Sequence, residues 1–286
     1  MSEEYYKIDA INSGTLADFY KWEKNIREEP VDKYEYWLGK CFEGVVREKY
    51  DKGYTLPFFP IENLNKRIVQ ALIDGSSLDE IVRVNKDGSV RKSDQDIAEQ
   101  IEIIKAEERA PIDQKDFDLI QKTVGNLMTM EVMDGLTVAD FLEHAEFDKT
   151  VVWEDEYGNK FKALFDIVST LETDGNQLIS VALDLKYYAN EYGFSTMFKS
   201  KLWVQERHYT EALKHYCIEK FSSPYFCMPF LVGYKDSGLT QVNIIEEDFI
   251  DRAEQRYYDL RQRYIEWINS GKKETGHLTK RYLKVY

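Results

Sequence analysis

Three residues near the middle of the chain have the types and spacing of a metal-assisted hydrolytic site. Asp184 and Lys186 flank Leu185, and Asp166 precedes them. Residues two apart in a β-strand point to the same face, so a strand here would place Asp184 and Lys186 side by side. Oxygen-only ligands favour Mg²⁺ or Mn²⁺, and a lysine beside such an ion can hold a water molecule or stabilise a developing charge. These groups are the ones that phosphodiester hydrolysis requires.

The register of two strands decides whether the two aspartates meet. Residues 160–171 and 177–187 are predicted to be antiparallel strands joined by a turn at 173–176. If the numbers of paired residues sum to 350, Asp166 faces Asp184 with Cβ atoms about 4.5–5.5 Å apart. A sum of 349 would put them on opposite faces. The site therefore requires an odd-length connection or a β-bulge, and the alternative is a surface hairpin with scattered charges.

Hydrophobic periodicity predicts the elements that surround this hairpin. We expect helices beginning at the N-cap Ser13 and over 33–49, within 64–132, and over 196–221 and 248–270. Further strands are expected over 147–153, 224–235 and 240–245. Residues 55–60 should interrupt regular structure because of their prolines. This order predicts an α+β, layered α/β fold, in which helices flank a central mixed sheet.

Charge and composition limit the possible classes of protein. The formal net charge is −14, with −17 over residues 1–195 and +3 over 196–286. An acidic protein is at first a poor candidate for binding nucleic acid, although a locally basic groove near Lys186 and Arg207 would suffice. No apolar run is long enough to cross a membrane, and the acidic N-terminus lacks the apolar core of a secretory signal. Three cysteines without metal-ligand spacing indicate free thiols and a cytoplasmic location.

Five sequence stretches together resemble the PD-(D/E)XK nucleases, in particular the phage and prophage exonucleases related to RecE (exonuclease VIII), lambda exonuclease and the RecB nuclease domain. The stretches are Ile11-Asn-Ser-Gly-Thr-Leu16, Gly39-Lys-Cys-Phe-Glu43, Phe161-Lys-Ala-Leu-Phe-Asp166, Leu183-Asp-Leu-Lys186 and the Q-x-x-x-Y pattern of Gln205 and Tyr209. Gln205 and Tyr209 would lie on one helix face. The chain departs from the family in having Glu43 at the position of a histidine, and a carboxylate is also a suitable Mg²⁺ ligand.

The resemblance implies a restriction-endonuclease-like core with N-terminal helical additions. Residues 1–286 would form a single nuclease domain, with 146–270 as the catalytic core and 64–132 as a helical insertion. The metal ligands would be Asp166, Asp184, the Leu185 carbonyl and Glu43. Lys186, Gln205 and Tyr209 would complete the catalytic set.

The resemblance also implies the reaction and its partners. We expect Mg²⁺- or Mn²⁺-dependent 5′-to-3′ resection of linear double-stranded DNA by a ring-shaped homo-oligomer that supplies a single-strand-annealing recombinase. The protein would act in the cytoplasm, that of a bacterial host if a phage encodes it. An endonuclease, a single-strand nuclease and a non-catalytic acidic DNA mimic remain alternatives.

Five side chains are candidates for contacts with DNA. Lys162 is assigned because it would share the strand face of Asp166, and the others because they lie on or next to the Q-x-x-x-Y helix. The candidates are Lys162, Lys199, Lys201, Arg207 and His208. Phosphate contacts and an ordinary solvated or packed helix face are both consistent with the sequence.

Overall fold

The computed structural model describes residues 3–26, 33–172, 177–220, 225–244 and 247–271. The turn predicted at 173–176 lies outside these ranges. Among the described residues, the α-helices are α1 (Glu3–Lys7), α2 (Ser13–Glu23), α3 (Lys33–Tyr50), α4 (Lys66–Asp74), α5 (Gln95–Ala106), α6 (Gln114–Met128), α7 (Val138–Glu143), α8 (Glu191–Met197), α9 (Trp203–Lys220) and α10 (Glu247–Asn269). A π-helical segment, Phe198–Leu202, connects α8 to α9. No described helix combines the length and the apolar character that crossing a bilayer requires.

A mixed sheet forms the centre of the molecule. The described strands are β1 (Phe58–Ile61), β2 (Ala110–Asp113), β3 (Glu131–Met133), β4 (Leu136–Thr137), β5 (Glu146–Glu154), β6 (Lys160–Glu172), β7 (Leu178–Tyr188), β8 (Tyr225–Cys227), β9 (Phe230–Tyr234) and β10 (Thr240–Asn243). The central sheet has the order β10-β9-β7-β6-β5, and β8 also pairs with β7. Strand β7 is parallel to β8 and β9 and antiparallel to β6. The predicted α+β fold with a mixed sheet is confirmed.

Helices cover both faces of this sheet. On one face, α3 packs on β7, α6 on β9 and β10, and α7 on β6. Together they form what we call the α3 cluster, which includes Phe42, Ile120, Phe141 and Leu183. On the other face lies the α9 cluster, which includes Phe161, Phe165, Ala182 and Leu213. Because β7 alternates strictly, its odd-numbered residues enter the α3 cluster and its even-numbered residues face α9.

Strand β6 changes face in its middle. Phe161, Ala163 and Phe165 belong to the α9 cluster, whereas Ile167 belongs to the α3 cluster and Val168 to the α9 cluster. Odd-numbered residues of β6 therefore face the α9 cluster before Asp166 and the α3 cluster after it. The paired strand β5 changes face at the same level, between Val151 and Phe147. The strict alternation assumed from the sequence does not hold at this point.

The N-terminal segment differs in detail from the prediction. The N-cap of α2 is Asn12, not Ser13, because the Asn12 side chain accepts a hydrogen bond of 2.9 Å from the Thr15 backbone N–H. Ser13 is instead the first helical residue. Just before the cap, the Ile11 carbonyl accepts a bond from the Lys162 N–H, which attaches this segment to the start of β6.

The block 64–132 divides into two parts that pack differently. Helices α4 and α5 enclose a small apolar cluster with Phe59, Ile61 and Leu64. Helix α6 instead belongs to the α3 cluster. The prolines of 55–60 do not exclude a strand: Phe58–Ile61 pairs in parallel with Ala110–Asp113. Both strands are short, and a strand edge tolerates proline.

The cysteines are free thiols, as expected. Cys41, Cys217 and Cys227 are buried and unbonded to one another. Burial raises the pKa of Cys41 and of Cys227 to about 12, so these two thiols stay protonated and unreactive near neutral pH.

The close approach of β9 to the α3 cluster predicts a steric limit at Gly233. A Cβ atom there would lie 2.8 Å from Thr123 Cγ2 and 2.9 Å from Tyr187 Cδ2. We expect Gly233→Ala to lower the free energy of unfolding by about 1–3 kcal/mol, measured by urea titration, because the packed core must move. The matched control is Gly125→Ala on α6, where nothing lies within 4 Å of the new Cβ. That change should stabilise the helix by about 0.5–1 kcal/mol. Equal effects at both positions would contradict the packing of β9.

Candidate active site

The register of β6 and β7 brings the two aspartates together. Paired residues run from Ile167 with Leu183 to Glu172 with Leu178, so their numbers sum to 350 and five residues connect the strands. Continuing this register by one position places Asp166 opposite Asp184. The predicted register and the odd-length connection are confirmed. The ladder ends at Ile167, so the aspartates lie where the two strands begin to separate.

Asp184 is the most enclosed member of the site. Asp184 is 2% exposed, and its Oδ1 accepts a hydrogen bond of 3.0 Å from Gln205 Nε2. Oδ2 has no hydrogen-bond partner among the described residues and is approached by the ammonium of Lys186 as an ion pair. One oxygen is thus fixed by a neutral amide, while the other is held by charge alone.

Asp166 has a strongly perturbed pKa. Burial raises the pKa of this carboxyl most, and the charge of Asp184 raises it further; Lys186 opposes the shift, and Glu43 adds to it. A protonated Asp166 can donate a hydrogen bond to Asp184, which lies within reach. The raised pKa favours the protonated form of Asp166 when no cation lies between the two carboxyl groups.

Lys186 stays charged despite its enclosure. Burial by itself would lower the pKa of Lys186, but Asp184 and Asp166 outweigh it, and the net shift is upward. The side chain is 20% exposed and lies over the Phe230 ring at 6.0 Å from its centroid. A lysine that holds its proton stabilises negative charge and is a poor general base.

Helix α9 connects to both strands of the site. Besides the bond from Gln205 to Asp184, the Tyr209 hydroxyl donates a hydrogen bond of 2.8 Å to the carbonyl of Leu164. The Tyr209 ring meets Phe165 edge to face, with centroids 5.4 Å apart. Gln205 and Tyr209 thus act on one helix face, as predicted, and they fix the relative position of β6 and β7.

The Leu185 carbonyl faces the open side of β7. The Asp184 N–H donates to Pro229 O and the Tyr188 carbonyl accepts from Lys235 N, so even-numbered residues bond toward β9. Backbone groups alternate along a strand, so the carbonyl of Leu185 points toward β6, where pairing has ended. A carbonyl on this side, beside two carboxylates, is a suitable third oxygen for a hard cation.

Glu43 is held on α3 by two cations that the sequence analysis did not single out. Lys40 Nζ donates to Glu43 Oε2 at 2.8 Å, and Arg47 Nη1 lies 3.8 Å from Glu43 Oε1. The same arginine bonds Asp148 at 2.8 Å. Lys40 also acts on Asp166, since the charges of Glu43 and Asp166 raise the pKa of Lys40 against the effect of burial. The spacing of positions 40, 43 and 47 on one helix was a signal for this cluster.

Asp148 is a further acidic residue that was missed. The β5–β6 pairs on either side, Phe147 with Ile167 and Lys149 with Phe165, leave Asp148 opposite Asp166. Its φ of 50° lies in the left-handed region, which is uncommon for a residue other than glycine. Continuing the pairing of the first hairpin past Lys149 would have placed it beside Asp166.

The predicted ligands do not form a complete cage. Among the described residues, no three His, Cys, Asp or Glu side chains are grouped so that they could hold a metal ion. Glu43 lies near enough to act electrostatically on Asp166, but it is engaged by Lys40 and Arg47. The groups brought together are the two aspartates and the Leu185 carbonyl.

Two of the predicted DNA contacts are wrong. Lys162 is 5% exposed and donates to the carbonyls of Tyr5 and Ile8 at 2.9 and 2.7 Å. The change of face at Asp166 puts Lys162 on the other side of β6. His208 is fully buried; its Nε2 donates to the Lys162 carbonyl at 2.9 Å, so Nδ1 accepts from the Tyr257 hydroxyl at 2.8 Å.

The other three candidates differ in exposure. Arg207 is 7% exposed and forms an ion pair with the buried Glu206, so its charge is already neutralised. This does not agree with a basic groove near Arg207. Lys199 is exposed and Lys201 is half-buried on the π-helical segment. These two remain candidates for contact with DNA.

No protein-family model matches the chain, and no curated protein matches it. The geometry of the site is therefore the basis for inferring what it does.

The enclosure of His208 predicts a pH-dependent stability. Burial lowers the pKa of His208 to about 4, whereas an unfolded histidine titrates near about 6.5. Between these values the unfolded chain binds more protons, so stability falls as the pH falls through this window. We expect His208→Gln to be less stable than the wild type near neutral pH. On acidification, the free energy of unfolding of the variant should fall on the order of 1–3 kcal/mol less than that of the wild type. Urea titrations at several pH values measure this. The exposed His144→Gln should keep the wild-type slope, and an unchanged slope in His208→Gln would contradict the prediction.

The raised pKa of Asp166 predicts a contribution to stability whose pH dependence is opposite to that of His208. Because its folded pKa lies above the unfolded value of about 4, its contribution to stability is full below that pH and is lost as the pH rises. In EDTA, Asp166→Asn should therefore melt above the wild type near about pH 8, with the gap closing toward about pH 5. Excess Mg²⁺ should raise the Tm of the wild type and leave the variant unchanged. The control is Asp96→Asn, which removes an exposed carboxylate on α5, outside the candidate site. A wild-type Tm that ignores Mg²⁺ would contradict a cation site.

Proposed function

We propose that the chain is a divalent-metal-dependent deoxyribonuclease that hydrolyses phosphodiester bonds. The observation that carries the proposal is the position of Asp166 opposite Asp184, one residue beyond the paired ladder, with Lys186 on the same face and ion-paired to Asp184. Two ionised carboxylates held this close without a cation repel each other. A divalent cation would convert this repulsion into attraction.

The donor set fits Mg²⁺ or Mn²⁺. All the available donors are oxygens: Asp166, Asp184 and the Leu185 carbonyl. Asp184 Oδ2 is held only by the Lys186 ammonium, and a bound cation would share this oxygen with Lys186. Mg²⁺ commonly takes only one or two protein carboxylates and completes its octahedron with water and substrate phosphate oxygens. A set of protein ligands that leaves coordination positions open is consistent with this preference of Mg²⁺. Glu43 would act through its charge on Asp166.

Each side chain has a separate task in this proposal. A bound divalent ion would polarise the phosphate and lower the pKa of an attacking water molecule. Lys186, which holds its proton, stabilises the negative charge that develops on the phosphate oxygens. Gln205 fixes the orientation of Asp184 through Oδ1, and Tyr209 fixes β6 through the Leu164 carbonyl. Lys40 and Arg47 hold Glu43 in place.

The finer description comes from the resemblance. It consists of 5′-to-3′ exonuclease action on linear double-stranded DNA, a ring-shaped homo-oligomer, a single-strand-annealing recombinase as partner and a cytoplasmic location. The three free thiols favour that location. A non-catalytic DNA mimic is favoured by the charge of −14, but such a protein has no use for a lysine and a glutamine directed at a buried aspartate.

Hydrolysis assays test the proposal. Purified protein is incubated with linear duplex, closed-circular duplex and single-stranded DNA, each with Mg²⁺, Mn²⁺ or EDTA. We expect linear duplex to be degraded only with a metal, and Lys186→Gln to lower the rate at least about 10²-fold, since a charge-stabilising group is lost. Substrates labelled at the 5′ or the 3′ end report the polarity.

The matched control is Lys160→Gln, an exposed lysine on the same strand as Asp166. It should retain the wild-type rate, and circular dichroism should show that both variants are folded. Cleavage of closed circles would favour an endonuclease instead. Absence of hydrolysis on all three substrates with either metal would overturn the proposal.

A further inference from the structure

A groove lies on the opposite side of α9 from the two aspartates. It has a volume of about 1030 Å³ and runs between α2 and α10. Its lining residues from α2 and the turn after it are Tyr20, Trp22, Glu23, Lys24 and Asn25, and those from α9 and α10 are Trp203, Arg252, Gln255, Arg256, Asp259 and Arg263. We call it the α2–α10 groove.

The groove is basic on a protein that is acidic as a whole. It contains four cationic side chains and two carboxylates, whereas the chain carries a net charge of −14. Arg263 is neutralised by Glu23, with N–O distances of 2.9 and 3.0 Å. Lys24 and Arg252 are exposed and form no ion pair with any described residue. Within the described residues, these two charges are not neutralised and can meet an anionic ligand.

The floor of the groove is built from aromatic rings and one guanidinium. Tyr20 and Trp203 meet edge to face at 5.1 Å. The Arg256 guanidinium lies 4.2 Å from the Trp203 centroid and bonds the Tyr20 hydroxyl. Such stacking fixes a guanidinium in one orientation, which reduces the entropy lost when it binds a phosphate.

Trp203 also carries an unsatisfied donor. The residue is 5% exposed, and its indole N–H has no acceptor among the described residues. The nitrogen itself is enclosed, so it says nothing about the choice of ligand, and the case for a ligand depends on the charges and rings of the groove.

The groups present select the chemistry of the ligand. Arginine and lysine match phosphate oxygens, and the half-buried Trp22 at the same groove offers a ring on which a base can stack. Cationic grooves with aromatic side chains are the usual design for binding single-stranded nucleic acid. An acidic peptide would use the cations but would have no need of the ring.

We propose that the α2–α10 groove binds the phosphate backbone of single-stranded nucleic acid. The proposal rests on the proposed nuclease function and extends it to a second contact site. Helix α9 links the two sites, because Trp203 lines the groove while Gln205 bonds Asp184. Residues two apart on a helix point to different sides, so a strand in the groove lies apart from the reacting phosphodiester.

Fluorescence anisotropy with a labelled oligothymidylate tests the groove in EDTA, where hydrolysis does not interfere. We expect the double variant Lys24→Gln, Arg252→Gln to raise the Kd about tenfold at low salt. It should also reduce the slope of log K against log salt by about 1.4, since two phosphate contacts are lost. Both positions are exposed, so the variant should fold, which its Tm checks.

The control double variant is Lys86→Gln, Lys92→Gln, which makes the same change of charge at exposed positions of the 64–132 block. It should bind like the wild type. An equal loss of affinity in both double variants would overturn the proposal, as would no loss in either. Displacement of the oligonucleotide by duplex DNA or by oligoglutamate at equal or lower concentration would also overturn it, assigning the groove to that ligand instead. Failure of hydrolysis in the earlier assay would remove the nuclease function without affecting this measurement.

Discussion

The mutual repulsion of two carboxyl groups is the constraint around which the site is arranged. Asp166 and Asp184 are placed opposite each other by a ladder of paired residues that continues up to Ile167 and Leu183. The surroundings compensate in three ways. The pKa of Asp166 is raised, the Lys186 ammonium lies against Asp184, and Lys40 and Arg47 hold the nearby Glu43. Apolar residues at these positions would make the fold more stable, and titratable groups kept at such a cost in stability are typical of sites that carry out chemistry.

Local patterns were sufficient for much of the fold and for the centre of the site. The two hairpins, the register sum of 350 and the shared face of Gln205 and Tyr209 follow from the positions of the turns and from local spacing. The remainder depended on long-range packing. The sequence does not show that α6 joins the α3 cluster while α4 and α5 form their own, because an apolar helix face does not specify the surface on which it packs.

The errors at Lys162 and His208 have a common origin. Both assignments treated position along one element as a guide to orientation. Strand β6 turns over at Asp166, so counting by twos from Asp166 leads to the wrong face for Lys162. His208 lies between Gln205 and Tyr209 in sequence but points into a core formed with Tyr257. Polar residues next to a motif are as readily structural as functional, and only their partners distinguish the two cases.

The change of face in β6 also concerns how the protein opens. One strand contributes to two hydrophobic clusters on opposite sides of the sheet, and the crossover point is Asp166 itself. We therefore expect local opening of either cluster to involve the backbone that carries this residue. Helices α4 and α5 have a separate small core, so we expect their amide hydrogens to exchange through local openings of lower free energy.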